Sequence, residues 1–176
     1  MLKKLKYLFI IPIIFMLTGC GSLFNTDQKP NPNYDNTKYF NDGWNINIPK
    51  SAKATYFCYS TWTSIFSFGG DNYVVYTLEE PLDIKWNDNK SEEFEEYFSN
   101  SINSLLTDYE DKASYGTKEM PDFTKEYMWT TLGENDDVNS PSPEFKYPNG
   151  NSISCLYFSD INKLFVFSVA THAVIK

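Results

Sequence analysis

Apolar and polar residues alternate along several stretches of the chain, which predicts β-strands with one buried face. Trp44, Ile46 and Ile48 alternate with asparagines, and Pro49 ends this first predicted strand. Residues 54–78 are dense in aromatic and β-branched residues, which suit the pleated surface of a sheet. The pattern therefore predicts that the domain begins with β-structure.

A short polar segment interrupts the aromatic stretch at residues 69–72, whose sequence is Gly-Gly-Asp-Asn. Glycine, asparagine and aspartate tolerate the positive φ angles that a tight connection requires. We therefore expect a hairpin with arms near residues 61–68 and 73–79, closed at this segment.

One segment changes from a period of two to a helical period. Its apolar residues are spaced by three or four positions and so share one stripe of a helix: Phe94, Phe98, Ile102, Leu105 and Tyr109. Asn89 or Ser91 can cap its start, and four glutamates follow where the helix dipole favours negative charge. The spacing predicts a helix over residues 91–109 that lies across one face of the sheet.

Three further strands are predicted at residues 127–132, 152–158 and 163–171, with the last two forming a hairpin. Residues 133–150 contain three prolines and are too punctuated for a regular element. The last strand is apolar on both sides, so both faces of its sheet should be covered. The order of elements predicts an α+β fold, a mainly antiparallel β-sheet of about six strands with one amphipathic helix packed across it.

The first twenty residues have the features of an export signal, a basic start followed by an apolar run from Tyr7 to Met16. This run is shorter than the ~20 apolar residues that span a bilayer. The segment that follows, Leu17-Thr18-Gly19-Cys20, resembles the lipobox of bacterial lipoproteins. The resemblance implies that Cys20 receives a diacylglycerol, carrying acyl chains such as palmitate, and becomes the first residue of the mature protein.

The lipobox divides the chain into a signal peptide at 1–19, a lipidated N-terminus and flexible tether at 20–38, and one α+β domain at 39–176. The tether is polar and broken by prolines, and the remaining length fits a single domain. The order of strands and helix also resembles that of small uncharacterised lipoproteins of Gram-positive bacteria, a likeness that implies no activity. The expected location is the extracytoplasmic face of the cell membrane.

The charge of the chain limits its partners. The sequence has 15 lysines, no arginine and 23 acidic residues, and loss of the three lysines before position 20 lowers the net charge from −8 to −11. A surface this acidic gains nothing from the counterion release that drives nucleic-acid binding. We therefore expect no nucleic-acid partner, and a link to the membrane through the lipid at Cys20.

Two cysteines remain once Cys20 is assigned to lipid, namely Cys58 and Cys155. Both lie in predicted strands of an exported domain, where a disulfide can persist. They either form a disulfide or remain as buried thiols, because the sequence does not show whether the two side chains meet.

Residue types for catalysis or metal binding are sparse, and we expect no cofactor or metal. The one histidine, His172, lies near the C-terminus without a nucleophile motif, and the cysteines lack zinc-site spacing. Carboxylate chemistry stays open, because glycoside hydrolysis needs only two acids at a suitable separation. The candidates by residue type are Glu79, Glu80, Glu134, Asp136 and Asp137.

Aromatic residues are abundant, with 14 Phe, 13 Tyr and 4 Trp. Tyrosine and tryptophan are favoured at recognition surfaces because their rigid rings give a large contact area. The rings near the predicted hairpin either form an exposed contact surface or belong to the core: Tyr56, Tyr59, Trp62, Tyr73 and Tyr76.

Two functions are consistent with these patterns. The first is a membrane-anchored binding or interaction module of the cell envelope, whose partner is an envelope protein or a cell-wall glycan. The second is a small envelope enzyme that acts on glycan through two carboxylates. Exposed clustered rings would favour binding, whereas two carboxylates facing each other across a cleft would favour hydrolysis.

Overall fold

The computed structural model of the chain describes residues 36–60, 62–63, 68–133, 136–137 and 139–170. The predicted signal peptide and Cys20 lie outside these residues, as do Glu134 and His172. Over the described ranges, no helix combines the length and the apolar character needed to cross a membrane.

An antiparallel sheet lies at the centre of the domain. Its strands and the two helices are β1 Lys53–Tyr59, β2 Trp62–Thr63, β3 Phe68–Thr77, β4 Ser114–Gly116, β5 Met128–Gly133, β6 Ser152–Phe158, β7 Lys163–Ala170, α1 Asn36–Trp44 and α2 Glu92–Ala113. Six strands pair in the order β4-β1-β3-β7-β6-β5, and the short β2 pairs with the start of β3. This arrangement confirms the predicted α+β fold.

Helix α2 packs on one face of the sheet and confirms the predicted apolar stripe. Its N-cap is Ser91, whose hydroxyl accepts a hydrogen bond from the backbone N–H of Phe94 at 3.2 Å. The Phe94 ring is fully buried and stacks on Trp129 of β5, with 4.7 Å between ring centroids. The helix continues four residues past the predicted end, to Ala113.

The opposite face of the sheet is covered by α1 together with the segments that precede β1 and follow β3. Phe40 of α1, Ile46, Ile48 and Leu82 all belong to this second buried cluster. Both faces of the sheet are therefore covered, as the apolar pattern of the last strand predicted.

The strand predicted at residues 44–48 is not formed. Ile46 and Ile48 are buried, but Asn45 and Asn47 both have a φ of 54°, a left-handed conformation that interrupts a β-ladder. The Asn41 side chain instead bonds to both backbone groups of Ile48, at 2.7 and 2.8 Å. The alternation of buried and exposed residues was real, but it belongs to a looped segment that follows a short helix.

The hairpin predicted at residues 69–72 is also wrong. These residues lie inside β3, where Gly70, Asp71 and Asn72 pair with β7. On the other side, the backbone N–H of Ser60 donates to the carbonyl of Asp71 at 2.8 Å. Hydrogen bonding to neighbours on both sides therefore keeps these residues extended, although their sequence would suit a turn.

A partly buried ion pair fixes the segment after β4 to the sheet. The Lys163 ammonium contacts the two carboxylate oxygens of Glu119 at 2.8 and 2.6 Å, and the Tyr73 hydroxyl donates to the Glu119 carbonyl at 2.6 Å. Burial alone would raise the pKa of the Glu119 carboxyl, but hydrogen bonds from Lys163 and Thr55 and the lysine charge lower it. This segment therefore supplies the partner for the buried Tyr73 hydroxyl.

Of the two states that the sequence left open for Cys58 and Cys155, the structure shows free, buried thiols, which lie on opposite faces of the sheet. Their strands, β1 and β6, are separated by β3 and β7. Three strand spacings amount to ~14 Å, whereas a disulfide joins Cα atoms less than ~7 Å apart. Burial raises the pKa of both thiols to about 12, which keeps them protonated and unreactive at neutral pH.

We predict that a Cys20→Ala chain purified without reductant contains two free thiols. In denaturant both should react with a thiol reagent within minutes, whereas in the native protein both should react at least ~100-fold more slowly because the thiolate is suppressed and buried. Measurement with a chromogenic disulfide reagent checks this. A denatured protein with no reactive thiol would show that the two cysteines are bridged, which would contradict their positions in this structure.

Candidate binding groove

The structure distinguishes between the two alternatives for the rings near the supposed hairpin, an exposed contact surface or the core. Tyr56, Tyr73 and Tyr76 are only 1 %, 0 % and 1 % exposed, so they belong to the core. Tyr59 is partly buried and stacks on Phe57 at 6.5 Å. Trp62 lies in β2, and its side chain is outside the described part of the structure. Three of the five rings are therefore core residues, because both sides of the sheet are buried.

Of the acids singled out by type, the four with described positions do not converge on a site. Glu79 and Glu80 are exposed at the end of β3. Asp136 accepts a hydrogen bond from the Gly133 backbone at 2.7 Å, and Asp137 accepts one from the Asn139 backbone at 2.9 Å. Among the residues with described positions, no group of three or more His, Cys, Asp or Glu side chains is placed to hold a metal ion.

A groove with a volume of about 480 Å³ lies where α2 passes over one end of the sheet. This volume is within the usual range for small-molecule sites. Its lining residues come from α2, from three strands and from the segment before β6: Asp71, Tyr97, Asn100, Ser101, Ser104, Pro148, Gly150, Ser152, Phe167 and Val169. The groove is the candidate functional site.

The floor of the groove is set by strand register. Asp71 of β3 pairs with Val169 of β7, which pairs in turn with Ser152 of β6. These three residues lie side by side on neighbouring strands, and Phe167 lies two residues before Val169 on the same side of β7. A carboxylate, a hydroxyl and two apolar side chains are therefore brought into one surface from three distant parts of the chain.

The wall of the groove is a polar stripe of α2. Tyr97, Asn100, Ser101 and Ser104 are spaced by three, one and three residues, which places them along one side of the helix beside its apolar stripe. Asn100 and Ser104 are exposed, whereas Tyr97 and Ser101 are partly buried. Small polar side chains at this position leave open space between the helix and the sheet.

Aromatic rings form the rim. Tyr147 is 62 % exposed, and its ring meets that of Tyr97 edge to face, with centroids 6.0 Å apart and planes at 90°. Phe145 contacts both rings, at 5.2 Å from Tyr147 and 5.3 Å from Tyr97. Because Phe145 is itself buried, it holds the two tyrosines in place beside the groove.

Among the lining residues that the structure describes, the groove has one acidic side chain and no basic one. Burial raises the pKa of the Asp71 carboxyl above its ordinary value. Burial also raises the pKa of the Tyr97 hydroxyl, and the neighbouring Ser152, Ser101 and Ser154 side chains partly offset this rise. The groove therefore offers a partly desolvated acceptor beside hydroxyl groups, an arrangement suited to hydrogen-bonding a polar ligand.

Comparison of the chain with protein families, curated proteins and solved structures finds no match. The site must therefore be interpreted from its own geometry. Polar groups that converge beside aromatic rings can orient and bind a small polar ligand.

The sequence did not predict this site. Its aromatic candidates lie around the supposed hairpin, whereas the exposed ring beside the groove is Tyr147, in a segment predicted to be irregular. One available signal was the polar stripe beside the apolar stripe of α2, at Tyr97, Asn100, Ser101 and Ser104. The contribution of Asp71 and Ser152 depends on strand register and has no local signal.

We predict that Asp71→Asn stabilises the folded protein at pH 7, because burial penalises the charged carboxylate only in the folded state. Solvent screens a partly exposed group, so the rise in Tm should be only about 1–3 °C. The gain should disappear as the pH falls below about 4, where the carboxyl is protonated both folded and unfolded.

Thermal unfolding of Asp71→Asn between pH 7 and pH 3.5 measures this difference. The matched control is Asp83→Asn at an exposed carboxyl, for which we expect a smaller change in Tm. An equal gain for Asp71→Asn at both pH values would show that burial of the charge is not the cause.

Proposed function

We propose that this protein is a lipid-anchored binding module on the extracytoplasmic face of the cell membrane, and that its ligand occupies the groove between α2 and the sheet. The observation that carries the binding half of this proposal is the combination of Asp71, the serine hydroxyls and the Tyr97 ring in one open cavity. The exposed Tyr147 ring packs against Tyr97 beside this cavity. The anchoring half rests on the lipobox resemblance at residues 17–20.

The proposed lipid anchor would leave the proposed binding groove accessible. Helix α1 begins at Asn36, inside the predicted tether, so about 15 residues separate it from Cys20. As a flexible coil they average ~20 Å, which keeps the domain close to the membrane surface. The net charge of −11 after signal removal disfavours adhesion of the domain itself to anionic lipid headgroups. The groove would therefore stay accessible while the lipid alone holds the protein at the membrane.

Glycan hydrolysis is the second candidate, and the groove geometry favours binding over it. Both common glycosidase mechanisms use two carboxyl groups, separated by about 5 to 9.5 Å. Asp71 is the one acid among the lining residues with described positions. This carboxylate can accept hydrogen bonds from a sugar, but no second described acid lies beside it to complete the acid and base pair that the hydrolytic proposal requires.

Cys20→Ala tests the anchor. Without the thiol there is no site for the diacylglycerol, so the protein should move from the membrane fraction to the medium or the periplasm. Fractionation followed by immunoblotting measures the distribution, and Cys58→Ala serves as a control that keeps the anchor. A Cys20→Ala protein that stays in the membrane fraction would overturn the lipid assignment.

Site-specific photo-crosslinking in the producing cells tests the groove as the contact surface. Ser104 and Asn103 are consecutive exposed residues of α2, but only Ser104 lines the groove. A photoreactive amino acid at position 104 should give at least ~5-fold more crosslinked product than one at position 103, because a helix turns by about 100° per residue. Equal yields at the two positions would contradict the proposed contact surface.

A further inference from the structure

The polar lining of the groove matches the hydrogen-bonding pattern of sugars. Ser101, Ser104 and Ser152 carry hydroxyls that both donate and accept, Asn100 adds an amide, and Asp71 adds two acceptor oxygens. A sugar ring presents hydroxyls that likewise donate and accept around its edge. Such a ligand can satisfy several of these groups at once, which a mainly apolar ligand cannot.

The rim offers aromatic surface to the same ligand. Tyr147 exposes 62 % of its surface, and its packing against Tyr97 and Phe145 restrains the ring. The face of a tyrosine ring is negative, and the C–H groups on one side of a sugar ring are weakly positive. A restrained ring can therefore stack against the C–H side of a sugar while the hydroxyl edge enters the groove.

The charge of the groove selects among sugars. Asp71 is the one charged group among the described lining residues, and its carboxylate has no hydrogen bond or ion pair to any residue within the described ranges. An anionic sugar would meet repulsion here, while a neutral sugar could donate a hydroxyl hydrogen to this carboxylate. An amino sugar could supply a compensating positive charge.

Strand position disfavours an extended peptide as the ligand. Peptides commonly bind by adding a strand to an exposed sheet edge. The strands that line the groove are β3, β6 and β7, and all three are interior strands with pairing partners on both sides. The edge strands are β4, β5 and the short β2 beside the start of β3, and none of them is among the described lining residues of the groove.

We propose that the groove binds a saccharide chain that is neutral or amino-substituted, with one sugar ring against Tyr97 and Tyr147 and a hydroxyl or amino group bonded to Asp71. This inference rests on the proposed binding function, because it names the class of ligand for the same groove.

Calorimetric titration of the lipidated full-length protein in detergent micelles tests the ligand class. The probes are oligomers of glucosamine and N-acetylglucosamine, further neutral hexose oligomers, and oligomers of galacturonate as the anionic comparison. At least one neutral or amino-bearing probe should bind in the micromolar to millimolar range, and galacturonate should bind at least ~10-fold more weakly. Failure of every neutral and amino-bearing probe, or equal binding of galacturonate, would overturn the inference.

Two variants test the contacts with the probe that binds best. Tyr147→Ala should weaken binding about 5- to 20-fold, and Asp71→Asn about 10-fold, since one loses the stacking ring and the other a charge-assisted hydrogen bond. Tyr115→Ala is the matched control, because Tyr115 is also exposed, at 47 %, but lies on β4 away from the groove lining. Unchanged affinity in Tyr147→Ala and Asp71→Asn, with both proteins folded by circular dichroism, would reject the site.

Sedimentation with protein-free cell walls of the producing cells distinguishes the source of the saccharide. Co-sedimentation that is reduced by Tyr147→Ala identifies a wall polymer, whereas binding to soluble oligomers alone identifies a sugar from the medium. A position-104 crosslink to a protein without any saccharide binding would overturn this inference and leave the proposed binding function intact. Equal crosslinking at positions 103 and 104 would instead count against the proposed function itself.

Discussion

Burial of both faces of the central strands is the constraint on which this structure depends. Val74 and Val75 of β3 are adjacent in sequence, yet each is fully or almost fully buried, one on each side of the sheet. Such a sheet needs a layer on both faces, and α2 alone can cover only one. The short helix α1 and the looped segments around β1 and β3 supply the second layer. The fold is therefore a three-layer arrangement, although it contains one long helix.

The groove exists because the apolar side chains of α2 do not cover the whole face of the sheet. Along most of α2 the sheet meets phenylalanine, isoleucine and leucine side chains, which leave no open space. Over one end of the sheet, the side of the helix that approaches the strands carries Asn100, Ser101 and Ser104 instead. Small polar groups neither fill the space nor gain from complete burial. The same helix therefore closes the core and leaves one wall of an open cavity.

Elements could be predicted from the sequence where the local hydrophobic pattern and the tertiary packing favour the same conformation. Helix α2 has five apolar residues on one stripe, and the sheet lies beneath that stripe. The C-terminal hairpin was predicted at β6 and β7 because its strands carry continuous apolar runs separated by a polar turn. In these elements the local preference and the packing favour the same conformation.

Prediction failed where tertiary contacts decide between two conformations that the local sequence allows. Asn45 and Asn47 alternate with apolar residues as in a strand, but asparagine also tolerates the left-handed conformation seen here. Gly70 and Asp71 suit a turn, yet pairing with β7 extends them. The groove could not be predicted in the same way, since Asp71 and Ser152 are 81 positions apart and meet only through the register of three strands. Helix α1 has only three apolar side chains over nine residues, too few for a periodic signal.

The separation of Cys58 and Cys155 by two intervening strands has a consequence for how the domain matures. Neither thiol requires an oxidant or a disulfide isomerase, so acquisition of the native fold is independent of disulfide formation between them. The domain should reach the same folded state in a reducing compartment as in an oxidising one, and its stability does not depend on a covalent link between these two strands.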